Sequence, residues 1–354
     1  MRLLDDLQAL RRVDRADMLG RAAALGREAL EGWRRGLGWR VPARIRSCRQ
    51  GLFLGVGGSA IGADLLQGIS ADSLSRPLVV NRTYTIPSWV GRDTLVVACS
   101  YSGNTEETLS AAEQARRCGA RILAISSGGR LADWARRHGA PLLRIPPGLP
   151  PRSALGYVAF GPLGLLSRLG WIRADRLGVE SACAGLDRFI RGRLVPAVRA
   201  SRNPAKRLAE ALAGRFPVVY GASDGWEGVA YRWRTQFEEN SKTLAFHHLF
   251  PEATHNEISG WLKPAGLVRR MAALFLFDRA VHPRTLRRME FTRGIVQRQG
   301  ARVISLSVPG GSRLERILKL VALGDFTSIY LGILYGVDPT PVERVEALKR
   351  YLRR

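Results

Sequence analysis

The chain has 354 residues, 46% of them hydrophobic and 24% charged, a composition that supplies cores for about two domains and excludes a disordered or fibrous chain. Its net charge of +25 is unusual: of 55 basic residues, five are lysine and 50 are arginine. The arginines are scattered, with no block of five or more and no RNP-like or zinc-finger pattern, so no specific nucleic-acid partner is expected, only weak affinity for polyanions.

Cys48, Cys99, Cys118 and Cys183 show no paired spacing, which suits reduced thiols in a cytoplasm and not a disulfide framework or zinc site. The N-terminal residues lack a secretory apolar core, and no run approaches 18 apolar residues. Neither export nor a membrane span is therefore expected.

Residues 1–40 read as a helical extension, with Leu3, Leu7, Leu10, Leu19, Ala22, Leu25 and Leu30 near helical spacing. The segment is too short for a DNA-reading domain plus linker. Residues 51–54 read as a strand that enters a glycine turn, Gly55-Val-Gly-Gly-Ser59, followed by a helix over 60–69. Gly55, Gly57 and Ala60 match a dinucleotide fingerprint in its Gly/Ala variant, but the next strand, 77–82, ends on Arg82 without the acidic residue that holds a ribose. An NADP oxidoreductase is thus a minor alternative. The preferred reading is that Gly57 and Gly58 let backbone approach a sugar closely, with Ser59 as a hydroxyl contact.

Residues 93–99 read as a buried strand, then come Ser100-Tyr-Ser-Gly-Asn-Thr-Glu-Glu-Thr108 and a helix over 109–117. Ser100, Ser102 and Thr105 so stand where a strand becomes a helix. A helix start offers unpaired N–H groups and partial positive charge, and the hydroxyls add neutral donors. That combination suits the phosphate of a sugar phosphate. An ordinary helix cap needs one hydroxyl; this turn has three.

Strands at 121–126 and 140–145, with a helix over 129–138, continue the alternation. It predicts a parallel, doubly wound sheet with ligands outside the carboxyl ends of its strands, where both turns fall. Pro146, Pro147, Pro150 and Pro151 then hold Arg152 rigidly at the next helix start. A basic helical linker follows over 173–203. A second alternation has strands at 216–220, 271–277 and 301–308, a helix over 227–240, and helices near 312–323, 325–335 and 342–352. The expected fold class is α/β, with domains over 41–172 and 204–354, each a parallel sheet flanked by helices.

Glu238 and Glu239 are adjacent on the 227–240 helix, so at most one of them faces a given cleft. Among five histidines, His255 lies in a polar turn beside Asn256, a setting open to either an ordinary loop residue or a general acid/base. His247 and His248, adjacent on an extended run, would point to opposite faces and are read as structural, not as a metal pair.

Taken together, Gly57-Gly-Ser, the Ser100–Thr108 motif, Pro151-Arg-x-Ala-Leu155, Phe237-x-Glu-Asn-x-Lys242, His255-Asn and Arg344-x-x-Ala-Leu-Lys-Arg350 occur in this order. The set resembles the dual-specificity phosphoglucose/phosphomannose isomerases of archaea and some bacteria, within the sugar-isomerase (SIS) family of two flavodoxin-like domains. The resemblance covers about residue 45 onward. It implies that Ser59, Ser100, Ser102 and Thr105 hold a 6-phosphate, that Glu239 moves the proton between C1 and C2, that Arg152 stabilises the enediolate, and that His255 and Lys349 assist ring opening. It also implies no metal and no cofactor, and a homodimer in which His255 comes from the neighbouring subunit. Such chemistry needs one base, one cation and one acid/base for ring opening. One departure stands out: Val342 occupies a position where a Thr is expected. A non-catalytic sugar-phosphate sensor on the same fold is the alternative, and the presence of Glu239, His255 and Lys349 argues against it.

Overall fold

A computed structural model describes residues 3–352. They form two compact units, each built on its own parallel sheet. Residues 1–2 and 353–354, the outermost of the expected extension and second domain, lie outside the described residues.

The first unit comprises Ala24–Gly185 and the short stretch Ser312–Glu315. Its strands are β1 (Gln50–Leu54), β2 (Leu78–Asn81), β3 (Thr94–Cys99), β4 (Arg121–Ser126) and β5 (Leu142–Arg144). They are all parallel, in the order β2-β1-β3-β4-β5. Every residue of β3 is buried, as a strand covered on both faces must be. Leu52, Leu54, Val96 and Ala98 pack against Ala111, Ala112 and Ala115 of the Glu106–Arg117 helix and against Leu131 and Trp134 of the Gly129–Arg137 helix. Burying each Leu or Val contributes about 1.5–3 kcal/mol. Because the order reverses between β1 and β3, the loops leaving those two strands open beside each other, which is where ligands of such sheets bind.

The helical extension expected over 1–40 is divided between the units. Its second half, the Leu25–Gly38 helix, meets the Leu155–Arg168 helix backbone to backbone. A Cβ on Gly36 would lie 2.1 Å from Gly161 O, and one on Gly164 would lie 2.5 Å from Trp33 O. The part ending at Ala23 belongs to the second unit. There Asp5 Oδ1 accepts from Ala200 N–H (2.7 Å) and from the fully buried Lys206 Nζ (3.2 Å). The stretch expected as a linker holds the Arg176–Phe189 helix, and the division between units falls after Gly185.

The second unit contains β6 (Phe216–Ala222), β7 (Phe246–Phe250), β8 (Met271–Leu276) and β9 (Arg302–Leu306). Their order, β7-β6-β8-β9, repeats the first sheet without its fifth strand. Val218, Tyr220, Phe250, Trp261, Phe275 and Met289 form its core. In place of the two helices expected near 312–323 and 325–335, a single helix runs from Arg313 to Leu334. Gly324 is no breaker there: its missing Cβ makes room for Trp233, whose ring atoms would be 2.6 Å away. Asp325 is no surface residue either, because Arg232 pairs with it inside the core (2.8 Å). By length and composition this helix could cross a membrane, contrary to expectation, yet 94% of its most apolar stretch is buried inside the protein. That is the profile of a core helix.

Candidate active site

Strands β1 and β3 pair with Leu54 beside Ala98, so the two turns expected at the sheet edge are neighbours. Gly57 takes a φ of +56° and opens the Gly58–Ile69 helix, a backbone that glycine adopts without penalty. Ser59 is buried, and its Oγ accepts from Tyr101 N–H at 3.2 Å, which joins the glycine turn to the Ser/Thr turn directly. Within the latter, the Ser100 and Thr105 hydroxyls lie 2.8 Å apart. Ser102 Oγ accepts from Asn104 N–H (3.3 Å). Thr105 is the N-cap residue of the Glu106–Arg117 helix, yet its side chain makes no capping bond. Its hydroxyl therefore meets Ser100 and does not accept from the helix N–H groups, as an ordinary cap would. Gly103 has a φ of +72° and sits so close to the next loop that a Cβ would lie 1.9 Å from Gly128 O.

Arg152 lies in the short Pro151–Ser153 turn with 2% of its surface exposed. Its backbone N would be 3.1 Å from a Cβ on Gly58, so a side chain at Gly58 would push the Arg152 turn away. The first unit thus brings together Gly57, Gly58, Ser59, Ser100, Ser102, Thr105 and Arg152. Sequence reasoning missed Tyr101, which fastens this edge together. Its hydroxyl donates to Pro146 O (2.9 Å) and accepts from Leu149 N–H (2.7 Å), and its carbonyl accepts from the Ser127 hydroxyl (2.7 Å). The one available signal was an aromatic side chain inside a polar turn. Next to it, burial pushes the Cys99 thiol up to about 12, which leaves it protonated and unreactive. Arg82, the possible 2′-phosphate ligand of the oxidoreductase alternative, is instead paired with Asp64.

The remaining expected residues, Glu239, His255 and Lys349, belong to the second unit. Glu239 is half-buried in the last turn of the Glu227–Asn240 helix. Lys242, at a φ of +55°, donates from Nζ to Glu239 O (2.5 Å) and to Pro339 O (3.4 Å). Glu238 is also half-buried, but its carboxylate lies 3.8 Å from Arg234, and burial raises its pKa. His255 is exposed and ends the Glu252–Thr254 turn, with Asn256 Oδ1 accepting from Glu257 N–H (2.6 Å). Lys349 is exposed on the Glu343–Tyr351 helix, none of whose residues is buried, and Val342 is its N-cap. His247 packs on the Tyr231 ring (5.2 Å), while His248 Nδ1 pairs with Glu257. Among the described residues no three His, Cys, Asp or Glu side chains converge as a metal-binding group.

Residues 201–352 match the family model of the bacterial phospho-glucose isomerase C-terminal SIS domain. The bifunctional phosphoglucose/phosphomannose isomerase of Caldicellulosiruptor bescii is 41% identical over 85% of this chain and 88% of its own length. That of Aquifex aeolicus is 35% identical over 92% and 97%. The crystal structure of a hypothetical protein from Thermus thermophilus superposes with a TM-score of 0.75 at 19% identity, covering 99% of this chain and 94% of the other, a likeness of fold. With 41% identity across most of both chains, the protein belongs to the family of bifunctional phosphoglucose/phosphomannose isomerases.

Proposed function

We propose that the chain interconverts fructose 6-phosphate with glucose 6-phosphate and mannose 6-phosphate through a cis-enediolate, without a metal ion. The observation that carries this reading is the single sheet edge where Ser59, Ser100 and Thr105 meet beside the Arg152 turn, in a chain of this family. A helix start with clustered hydroxyls suits the 6-phosphate. In the aldose-to-ketose direction Glu239 takes the proton from C2, the C–H electron pair forms the C1–C2 double bond and the carbonyl pair moves onto O1. The hydroxyl proton passes from O2 to O1, and the carboxyl proton is delivered to C1 as O2 becomes the carbonyl oxygen. The two oxygens of the enediolate carry the developing negative charge. Arg152, almost wholly buried, supplies a fixed cation in a medium of low dielectric, where such stabilisation is strongest.

Ring opening needs a group that protonates the ring oxygen and one that takes the proton of the anomeric hydroxyl. His255 and Lys349 are proposed for these steps, with His255 contributed by the second copy of a homodimer. The exposure of both side chains leaves them free for that use. The decisive comparison is between two adjacent carboxylates. Glu239→Gln is expected to lower kcat by roughly a hundred- to ten-thousand-fold with a modest change in KM, whereas Glu238→Gln, which disturbs only the pairing with Arg234, should do far less. If the two variants behave alike, Glu239 is not the proton carrier.

A further inference from the structure

Arg232, Gln236 and Asn240 stand four residues apart, so they share one face of the Glu227–Asn240 helix. That face lies against the Arg313–Leu334 helix at almost no distance. A Cβ on Gly332 would lie 2.7 Å from Asn240 O, and one on Gly324 would lie 2.6 Å from the Trp233 ring. Three polar attachments run along the same contact. Arg232 makes a paired bond to Asp325 (Nε–Oδ1 2.9 Å, Nη2–Oδ2 2.8 Å), and Gln236 Nε2 donates to the same Oδ1 (3.0 Å). At the end of the helix Asn240 Nδ2 donates to Ser328 Oγ (2.9 Å), whose hydroxyl donates on to Asp325 O (2.8 Å). All five side chains are buried, and Asn240 and Ser328 have no exposed surface.

Such a network is a weak source of net stability, because apolar residues of the same shape would serve as well. What it supplies is orientation. A buried amide tolerates no rotation that leaves its donors unpaired. Successive residues of a helix differ by about 100° in direction, so the Asn240 bond also sets where its neighbour Glu239 points. We propose that Asn240 and Ser328 are positioning residues: their hydrogen bond fixes the rotation of the helix so that Glu239, and not Glu238, meets C1 and C2 of the sugar. The proposal rests on Glu239 being the proton carrier.

The consequence is measurable in the fate of one proton. After Glu239 removes it from C2, the protonated carboxyl either returns it to C1 or exchanges it with water. A displaced carboxylate delivers more slowly, while exchange is unhindered, so more of the product carries solvent hydrogen. The test is initial-rate turnover of glucose 6-phosphate in deuterated water by Asn240→Ala, Ser328→Ala and the double variant, with deuterium at C1 of the fructose 6-phosphate measured by mass spectrometry.

Both single variants are expected to lose about ten- to a hundredfold in kcat with KM within about threefold, and to incorporate at least twice the wild-type fraction of deuterium per turnover. The double variant should lose no more kcat than the worse single one. Deuterium is counted per product molecule, so a merely structural role, which reduces the amount of folded protein, leaves it unchanged. Should Asn240→Ala fail to fold, Ser328→Ala, which removes one oxygen atom, carries the comparison. An unchanged deuterium fraction in the folded single variants, or additive losses of kcat in the double one, overturns the proposal. Retained turnover in Glu239→Gln under the same conditions would instead overturn the reading of Glu239 itself.

Discussion

Thr105 shows how much a single hydroxyl can decide. It caps a helix by position, yet its Oγ1 turns to Ser100 at 2.8 Å, where the pair can present donors to one phosphate. Thr105→Val keeps the shape and removes one donor to a charged oxygen, a bond worth about 1.5–3 kcal/mol, so KM should rise roughly ten- to a hundredfold. Inhibition by a phosphate-bearing polyol should weaken in parallel, and undiminished inhibition would place the phosphate elsewhere. Val342 makes the opposite argument, through a hydroxyl it lacks. Where it lines the sugar in the proposed site, this small side chain without a donor should leave space for the enediolate to present either face of C2. Val342→Gln is expected to depress formation of mannose 6-phosphate more than that of glucose 6-phosphate in a paired rate assay. An equal loss of both would remove this account of dual specificity.

The turn at Ser100–Thr105 was legible as a junction because a strand followed by serines and a helix is a local pattern. Tyr101 was not, since its partners at Pro146 and Leu149 are more than forty residues away and no spacing in the chain announces them.

Elements fail to be legible for the same reason. Gly324 and Asp325 look like a break between two helices until Trp233 and Arg232 arrive from another segment to fill and pair them. The glycines of the Leu25–Gly38 helix likewise have no purpose until the Leu155–Arg168 helix lies against them. Gly36→Ala would drive a methyl group onto the Gly161 carbonyl, which backbone cannot evade, and should destabilise the protein by about 1–3 kcal/mol. Gly38→Ala, with nothing within 4 Å, is the control, and thermal unfolding should separate the two by several degrees.

On β7, burial holds the His247 imidazole down at about 4, from an ordinary 6.5, with Arg234 and His248 adding repulsion. A depressed folded pKa means that the unfolded chain binds the proton more readily. The stability that neutral His247 contributes is therefore complete above about pH 6.5 and is lost as pH falls towards 4. His247→Gln should flatten the denaturant midpoint over that window, and a profile that still falls as in the wild type would assign the acid sensitivity to other groups.

At the scale of the whole molecule, alternation of strands and helices was enough to expect two parallel sheets, and the observed strand orders agree with it. The division of the N-terminal segment between the units was not legible, because it depends on partners such as Lys206 and Gly161 far along the chain. The charge of +25 marks no site by itself. The proposed homodimer has a direct consequence. If His255 acts across subunits, mixing inactive His255→Ala with inactive Glu239→Gln and allowing subunits to exchange should restore about a quarter of the wild-type activity, since half the dimers then hold one intact site. Recovery of none would confine His255 to its own subunit.

The proposed reaction makes both aldoses at one site from one enediolate, without a metal. Its most direct measurement is turnover of fructose 6-phosphate by the wild-type protein in excess chelator, with glucose 6-phosphate and mannose 6-phosphate quantified separately. Both should form at rates within about tenfold of each other, a barrier difference below roughly 1.4 kcal/mol. Formation of one aldose alone, or activity abolished by the chelator and restored by a divalent ion, would contradict it.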